Sequence, residues 1–236
     1  MAAESTFWLA LGEIVWINVL LSGDNAVVIA LACRSLPQEM RKWGILLGVG
    51  PAIILRAVFT AFVGTLLGVP YLKLVGAGLL LWIAVSLMLP DHEEDPAHAG
   101  EHHGSLWAAV RTIVVADAVM SLDNVIAIAA AAKGDMVLLI IGLLLSMPMI
   151  IFGSGILLRV MERFPILVTA GAGLLGWIAG ELAVSDPLLH SWLGHGALLE
   201  TLLVPALGAA LVVTSGYLWA AWRRRGQMIE TGSSGR

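Results

Sequence analysis

The chain has 236 residues, 59% of them hydrophobic and only 13% charged, with a formal net charge of -4 and a mean hydropathy of +0.92. A water-soluble domain of this length could not hide so much apolar surface, whereas helices in lipid have no need to. The charge sits mostly in one acidic loop and offers no basic face to nucleic acid, and the single cysteine, Cys33, excludes an internal disulfide or a thiolate metal cluster.

A spanning helix needs roughly 20 mostly apolar residues. With proline, glycine and charge clusters as punctuation, the sequence predicts seven such spans in one transmembrane domain, 7–221. The first, 7–33, carries Glu13, Asn18 and Asp24; it lacks a basic leader and is too long for a cleaved signal, so a retained helix is expected. The second, 42–67, contains Pro51 and Arg56, the one basic residue deep in a span. Gly68-Val69-Pro70 leads into the third, 70–89. A loop, 90–106, follows, and its stretch from Asp91 to His103 is rich in His and acid. Such a tract can collect metal loosely, but a solvated linker is the plainer reading. Spans 107–132, 136–158 and 165–184 come next, then an extra helix at 198–221. A disordered tail is expected over 226–236; its Thr231-Gly232-Ser233-Ser234-Gly235-Arg236 end resembles a cloning remnant.

Trp8, Trp43, Trp107, Trp192, Trp219 and Trp222 fall near proposed span ends, as an interfacial aromatic belt requires. One side of the membrane collects Arg34, Arg41, Lys42, Arg111, Arg159, Arg163, Arg223, Arg224 and Arg225, the other only Lys73 and Lys133. That bias places the N-terminus outside, and the C-terminus and the 90–106 loop in the cytoplasm.

The chain also repeats itself. Ser22-Gly23-Asp24-Asn25 returns 99 residues later as Ser121-Leu122-Asp123-Asn124. Gly76-Ala77-Gly78-Leu79-Leu80 returns as Gly171-Ala172-Gly173-Leu174-Leu175, Trp82-Ile83-Ala84 as Trp177-Ile178-Ala179, and Pro51 sits opposite Pro148. Repeat one is therefore 7–89 and repeat two 107–184. Because three spans is an odd number, the second copy enters the membrane from the opposite side. The predicted fold is an all-α membrane protein: seven transmembrane helices, as two inverted three-helix repeats plus a C-terminal helix. Inverted repeats hold their substrate near the midplane, where the two halves meet.

A charge at that depth costs from ~2.5 to more than 10 kcal/mol, so it faces a cavity, a partner or an ion. On an ideal helix Asn18, Ser22 and Asn25 share one face, and Asp117, Ser121 and Asn124 share the equivalent face. Asp24 and Asp123 lie off that stripe unless the helix opens locally, which Gly23 would ease, freeing carbonyl oxygens. Glu181 is the other acid expected to be buried, opposite neutral Ser86; Glu13 lies further out, and Arg56 can pair with one of these acids or snorkel. Carboxylates, carboxamides and carbonyls without thiol or buried His suit a hard divalent cation such as Mg, Ca or Mn. The plainer reading is interhelical hydrogen bonding, with the acids protonated or paired to Arg56. No nucleophile–base pair argues for an enzyme, and no bound cofactor is expected.

The runs Leu21-Ser22-Gly23-Asp24-Asn25-Ala26-Val27-Val28-Ile29-Ala30 and Ser121-Leu122-Asp123-Asn124-Val125-Ile126-Ala127-Ile128-Ala129 resemble the TerC family of integral membrane proteins, in particular its bacterial YjbE-type branch. The resemblance spans roughly 7–221. It implies an inner-membrane protein linked to manganese export and, under older names, to tellurite resistance, with Asp24, Asn25, Asp123 and Asn124 as metal-binding centres. The family often has an acid six residues before each motif aspartate; Asp117 keeps it and Asn18 does not, leaving the first half-site lighter in charge. The expectation is one lopsided site for Mn2+, Ca2+ or another divalent ion, built from Asp24, Asn25, Asp123, Asn124, Asp117, Glu181 and Asn18. It serves a multi-pass exporter working in exchange for protons, with the divalent ion and the bilayer as partners and a homodimer left open. The alternatives are an exporter of a small organic solute, or a membrane partner that supplies metal to exported enzymes.

Overall fold

The computed structural model of the chain describes residues 12, 16, 23–62, 69, 71–89, 105–132, 136–187, 189 and 199–233, with the side chains of 122–132, 136–146, 199–200, 220 and 223–233 outside the description. In chain order the helices are α1 (Gly23–Cys33), α2 (Gln38–Ala61), α3 (Leu72–Met88), α4 (Leu106–Ala132), α5 (Met136–Arg163), α6 (Ile166–Val184) and α7 (Val204–Ser233). No strand occurs among the described residues. Three described segments are long and apolar enough to cross a bilayer, Gln38–Ala61, Ile166–Val184 and Thr201–Trp219; Gly23–Cys33 and Leu72–Met88 are shorter apolar helices.

Proline sets several boundaries. Pro37 precedes α2 and Pro165 precedes α6, positions where a missing N–H costs nothing. Pro205, near the start of α7, cannot donate to the carbonyl four residues back; a π turn at Leu199–Leu203 carries the chain past it. Tyr71, ahead of α3, has φ 63°, the left-handed region that a bulky residue enters only when its surroundings hold it there.

α6 is the centre of the packing, lying against α3 on one side and α7 on the other, while α2 pairs with α4. Leu80, Ile113, Leu175 and Val212 are fully buried where these helices meet. α6 and α7 approach backbone to backbone: a methyl group at Gly176 would sit 2.5 Å from the carbonyl oxygen of Gly208, and one at Gly180 2.6 Å from the Cα of Pro205. A glycine pair four residues apart gives such a groove, and van der Waals contact across it holds helices together where lipid removes the hydrophobic drive. The opposite property marks the outside: Trp43, Ile54, Trp82, Trp107, Phe152, Ile166 and Leu218 are all exposed. So much exposed apolar surface suits a bilayer better than water.

Several boundaries differ from expectation. α2 starts at Gln38 and its helix stops at Ala61, short of the predicted end at 67. α5 runs on to Arg163 rather than 158, because Arg159, Glu162 and Arg163 are good helix formers although they end the apolar run. α7 continues to Ser233, so 226–233 is helical where a disordered tail was expected; Arg223 to Glu230 contains no helix breaker except Gly226. α4 is uninterrupted through Asp123 and Asn124, so no opened turn frees carbonyls there; Leu122 stands where Gly23 stands in the first copy. In α1, Gly23, Asp24 and Asn25 are already helical. Glu13, Asn18, Ser22 and the loop 91–103 lie outside the described residues.

Candidate functional site

A polar cluster sits in the middle of the α2–α4 interface. Arg56 of α2 places its Nη2 2.5 Å from Oδ1 of Asp117 on α4, and its Nε donates to Ser121 Oγ at 3.1 Å. The Ser121 hydroxyl in turn donates to Asp117 Oδ2 at 3.0 Å. Arg56 is 4% exposed, Asp117 7% and Ser121 0%, so these charges are almost wholly shut off from bulk solvent. The i, i+4 spacing of Asp117 and Ser121 puts both on one helical face, and the fork of the guanidinium engages both. Of the two outcomes open to Arg56, pairing and snorkelling, the chain takes pairing. Asp117 is the acid it selects.

The first Asp-Asn copy lies on α1. Asn25 is 2% exposed and faces the bundle, while Asp24, one residue off that stripe, is half-buried. α1 packs against α6 through Val27 and Leu31, which a methyl group at Gly171 would touch at 3.0 and 3.3 Å. Asp24 is within electrostatic reach of Glu181 on α6. Glu181, expected to be buried, is exposed, and its Oε1 accepts a hydrogen bond of 2.7 Å from Trp177 Nε1 one turn earlier. It lies in the last turn of α6, whose Leu182 and Val184 stay buried while Glu181 faces outward.

Asp123 and Asn124 are placed on α4 by their backbone, two turns beyond Asp117, with their side chains outside the description. Asn18 is not among the described residues. Thus the described chain brings Asp24 towards Glu181 and Asp117 onto Arg56, and no group of three His, Cys, Asp or Glu that could hold a metal forms among the described residues.

A cavity of about 200 Å3 lies near the start of α4, bounded by α1, α3 and α4, with Ser35, Ser86, Ser105 and Thr112 among its lining residues. Most of its lining is apolar, from Ala32, Trp82, Ile83, Leu87, Ala108 and Ala109, and neither Arg56 nor Asp117 reaches it.

One buried acid escapes the sequence reading. Asp186, 1% exposed and just beyond α6, accepts the Leu74 amide at 3.4 Å, while Lys73 Nζ donates to Ser185 Oγ at 3.3 Å. Tyr71 supplies no side-chain cap to α3, so Asp186 does so from across the fold. Its only trace in sequence is the Ser185-Asp186-Pro187 turn signature.

The description "Integral membrane protein TerC family" matches residues 3–225. The chain is 41% identical over 210 residues to the uncharacterized membrane protein YjbE of Bacillus subtilis (strain 168), covering 89% of this chain and 94% of that one. It is 27% identical to YceF of the same organism over 213 residues, 87% of this chain and 81% of the relative. The UPF0053 inner membrane protein YoaE of Escherichia coli (strain K12) is 27% identical over 228 residues, 89% of this chain but 42% of the relative. No solved structure matches the chain. With the family match running over nearly the whole length and YjbE aligned almost end to end, the chain belongs to the TerC family of integral membrane proteins.

Proposed function

We propose that the chain is a secondary transporter that exports a hard divalent cation, Mn2+ first among them, across the bacterial inner membrane with a counter-flow of protons. The observation that carries this reading is the duplicated Asp-Asn pair on α1 and α4, joined by Asp117 on an inward face of α4 and by Glu181 near Asp24. Oxygen donors of this kind suit a hard cation, and an ionisable residue inside a membrane is functional by default. The N-terminus is outside and the C-terminus inside, following the arginine bias.

An inverted repeat of α1–α3 and α4–α6 is supported by how the helices pair. A methyl at Gly76 of α3 would meet Val119 of α4 at 3.0 Å, and one at its counterpart Gly171 of α6 would meet Val27 of α1 at the same distance. Gly48 of α2 abuts Ile113 of α4, as Gly153 of α5 abuts Ala26 of α1. Exchanging α1–α3 with α4–α6 maps each of these helix pairings onto the other, and the α3–α6 pairing onto itself, although the residues in contact differ. In this reading Arg56 is a resident cation: Asp117 must leave it before joining a metal, so the described conformation keeps the second half-site closed to ions.

The test is Mn2+ accumulation in everted membrane vesicles, with Asp24→Asn and Asp123→Asn compared with the parent chain. A loss of roughly tenfold or more is expected in each, because each removes a charged ligand. Undiminished accumulation in both variants refutes the reading. Metal-independent flux of an organic solute would favour the second cargo class, and Mn2+ binding without movement would favour a partner that hands metal to exported enzymes.

A further inference from the structure

Away from the polar cluster, an open groove of about 360 Å3 runs between the first half of α2 and the last half of α5. Its walls are apolar, with Leu46, Phe152 and Ile156 all exposed along it, and Gly155 leaves room on its floor: a methyl group added there would meet nothing within 4 Å. Two cations close one end, Lys42 from α2 and Arg159 from α5. Both are exposed, and neither has a hydrogen-bond or ion-pair partner among the described residues. Their neighbours behave differently. Arg41 and Glu162, on the same two helices, pair with each other, and Arg41 also donates to the carbonyls of Leu36 and Arg34. Glu162, the acid at this end of α5, is thereby taken by Arg41, and no described acid lies against Lys42 or Arg159.

An apolar channel of this kind, too open for core and capped by two unspent positive charges, has the polarity of a phospholipid: chain below, anionic headgroup above. The end it occupies is the basic one, with Arg34, Arg163 and the 223–225 arginines completing the excess. Trp43 lies beside Lys42 and is 60% exposed, at the depth where an indole ring sits between chain and headgroup. Basic pockets between transmembrane helices at this face hold acidic headgroups, and each cation near the surface contributes to that attraction. We infer that the α2–α5 groove is a binding site for an anionic phospholipid, with one acyl chain along Leu46, Phe152 and Ile156 and the phosphate between Lys42 and Arg159. The site is independent of any transported ion.

The experiment is native mass spectrometry of the full chain released from nanodiscs of equal phosphatidylglycerol and phosphatidylcholine. One retained phosphatidylglycerol, in excess over phosphatidylcholine, is expected on the parent chain. Lys42→Gln with Arg159→Gln should lower that excess roughly tenfold or more, since each charge is worth roughly fivefold. Gly155→Leu should also lower it, because its Cβ meets no protein atom and the rest of its side chain fills the groove where the acyl chain would lie, with both charges still present. Equal retention of the two lipids by the parent chain overturns the inference. So does a Gly155→Leu variant that keeps its phosphatidylglycerol, since the charges alone would then be gathering lipid at the surface.

Discussion

Replacing Arg56 by Met, alone and together with Asp117→Asn, measures what the buried ion pair is for. Arg56 and Asp117 are almost wholly out of contact with solvent, are joined at 2.5 Å, and share Ser121. Removing one member leaves the other as an uncompensated buried charge, which costs about 3–5 kcal/mol. Met keeps most of the arginine's volume and its helix propensity, so little of the loss comes from a cavity or from α2 itself. The double variant leaves no orphan charge: the carboxamide introduced in place of Asp117 can still hydrogen-bond Ser121, and the thioether packs where the guanidinium lay. Its cost should therefore fall below the sum of the two singles by about 2–3 kcal/mol, the upper range for residues sharing one network. The assay is reversible unfolding in mixed micelles, followed by the fluorescence of the nine tryptophans. Strict additivity, within about 0.5 kcal/mol, would refute the reasoning and show that the two charges are balanced by other groups. The repeat offers a natural control. Counting from the matched Pro51 and Pro148, Arg56 falls opposite Gly153; in the 99-residue register of the Asp-Asn copies, Asp117 falls opposite Asn18. Where one helix pair carries both charges its counterpart carries neither, as expected if each charge is tolerated only because of its partner.

Two further predictions concern the scaffold. Gly176→Ala and Gly208→Ala address the same backbone contact from its two sides, so each should destabilise the chain by about 1–3 kcal/mol in the same unfolding assay, whereas Gly78→Ala, whose new methyl meets nothing, should not. Asp186→Ala should cost about 0.5–2 kcal/mol and speed hydrogen exchange in the first turn of α3, at Leu74 above all; unchanged exchange there would show that Asp186 is not the cap.

Much of the helical order was legible in the sequence. The predicted spans 70–89, 107–132 and 165–184 lie within two residues of Leu72–Met88, Leu106–Ala132 and Ile166–Val184, since glycine, proline and charge mark their ends. The inward stripe was legible too: the 3.6-residue period puts Asn25 on the buried face and Asp24 beside it, and Asp117 and Ser121 follow the same rule on α4. Hydropathy failed where helix and apolar run part company. α5 and α7 continue into charged sequence because backbone hydrogen bonds do not require apolar side chains once the chain has left the lipid. Glu181 misled for a related reason: an acid in an apolar segment reads as buried, yet near a helix end it can turn outward and settle on Trp177. Partner choice was beyond reach as well. Nothing local tells Arg56 to select Asp117, 61 residues away, over Asp24.

The glycine groove of α6 tells how the extra helix is accommodated. In the register that matches Gly76-Ala77-Gly78 with Gly171-Ala172-Gly173, Gly176 and Gly180 stand opposite Leu81 and Val85, so the notch that seats α7 belongs to α6 and not to α3.

The cap on α3 has a consequence for how the chain is made. The Leu74 amide waits for a carboxylate 112 positions downstream. At a synthesis rate of ~5–20 residues per second, Asp186 follows roughly 6–22 s after Leu74. Until then the Leu74 amide is left to water or headgroups, beside a tyrosine in left-handed backbone. The third helix is thus inserted early and finished late, and the arrival of the sixth is what completes it.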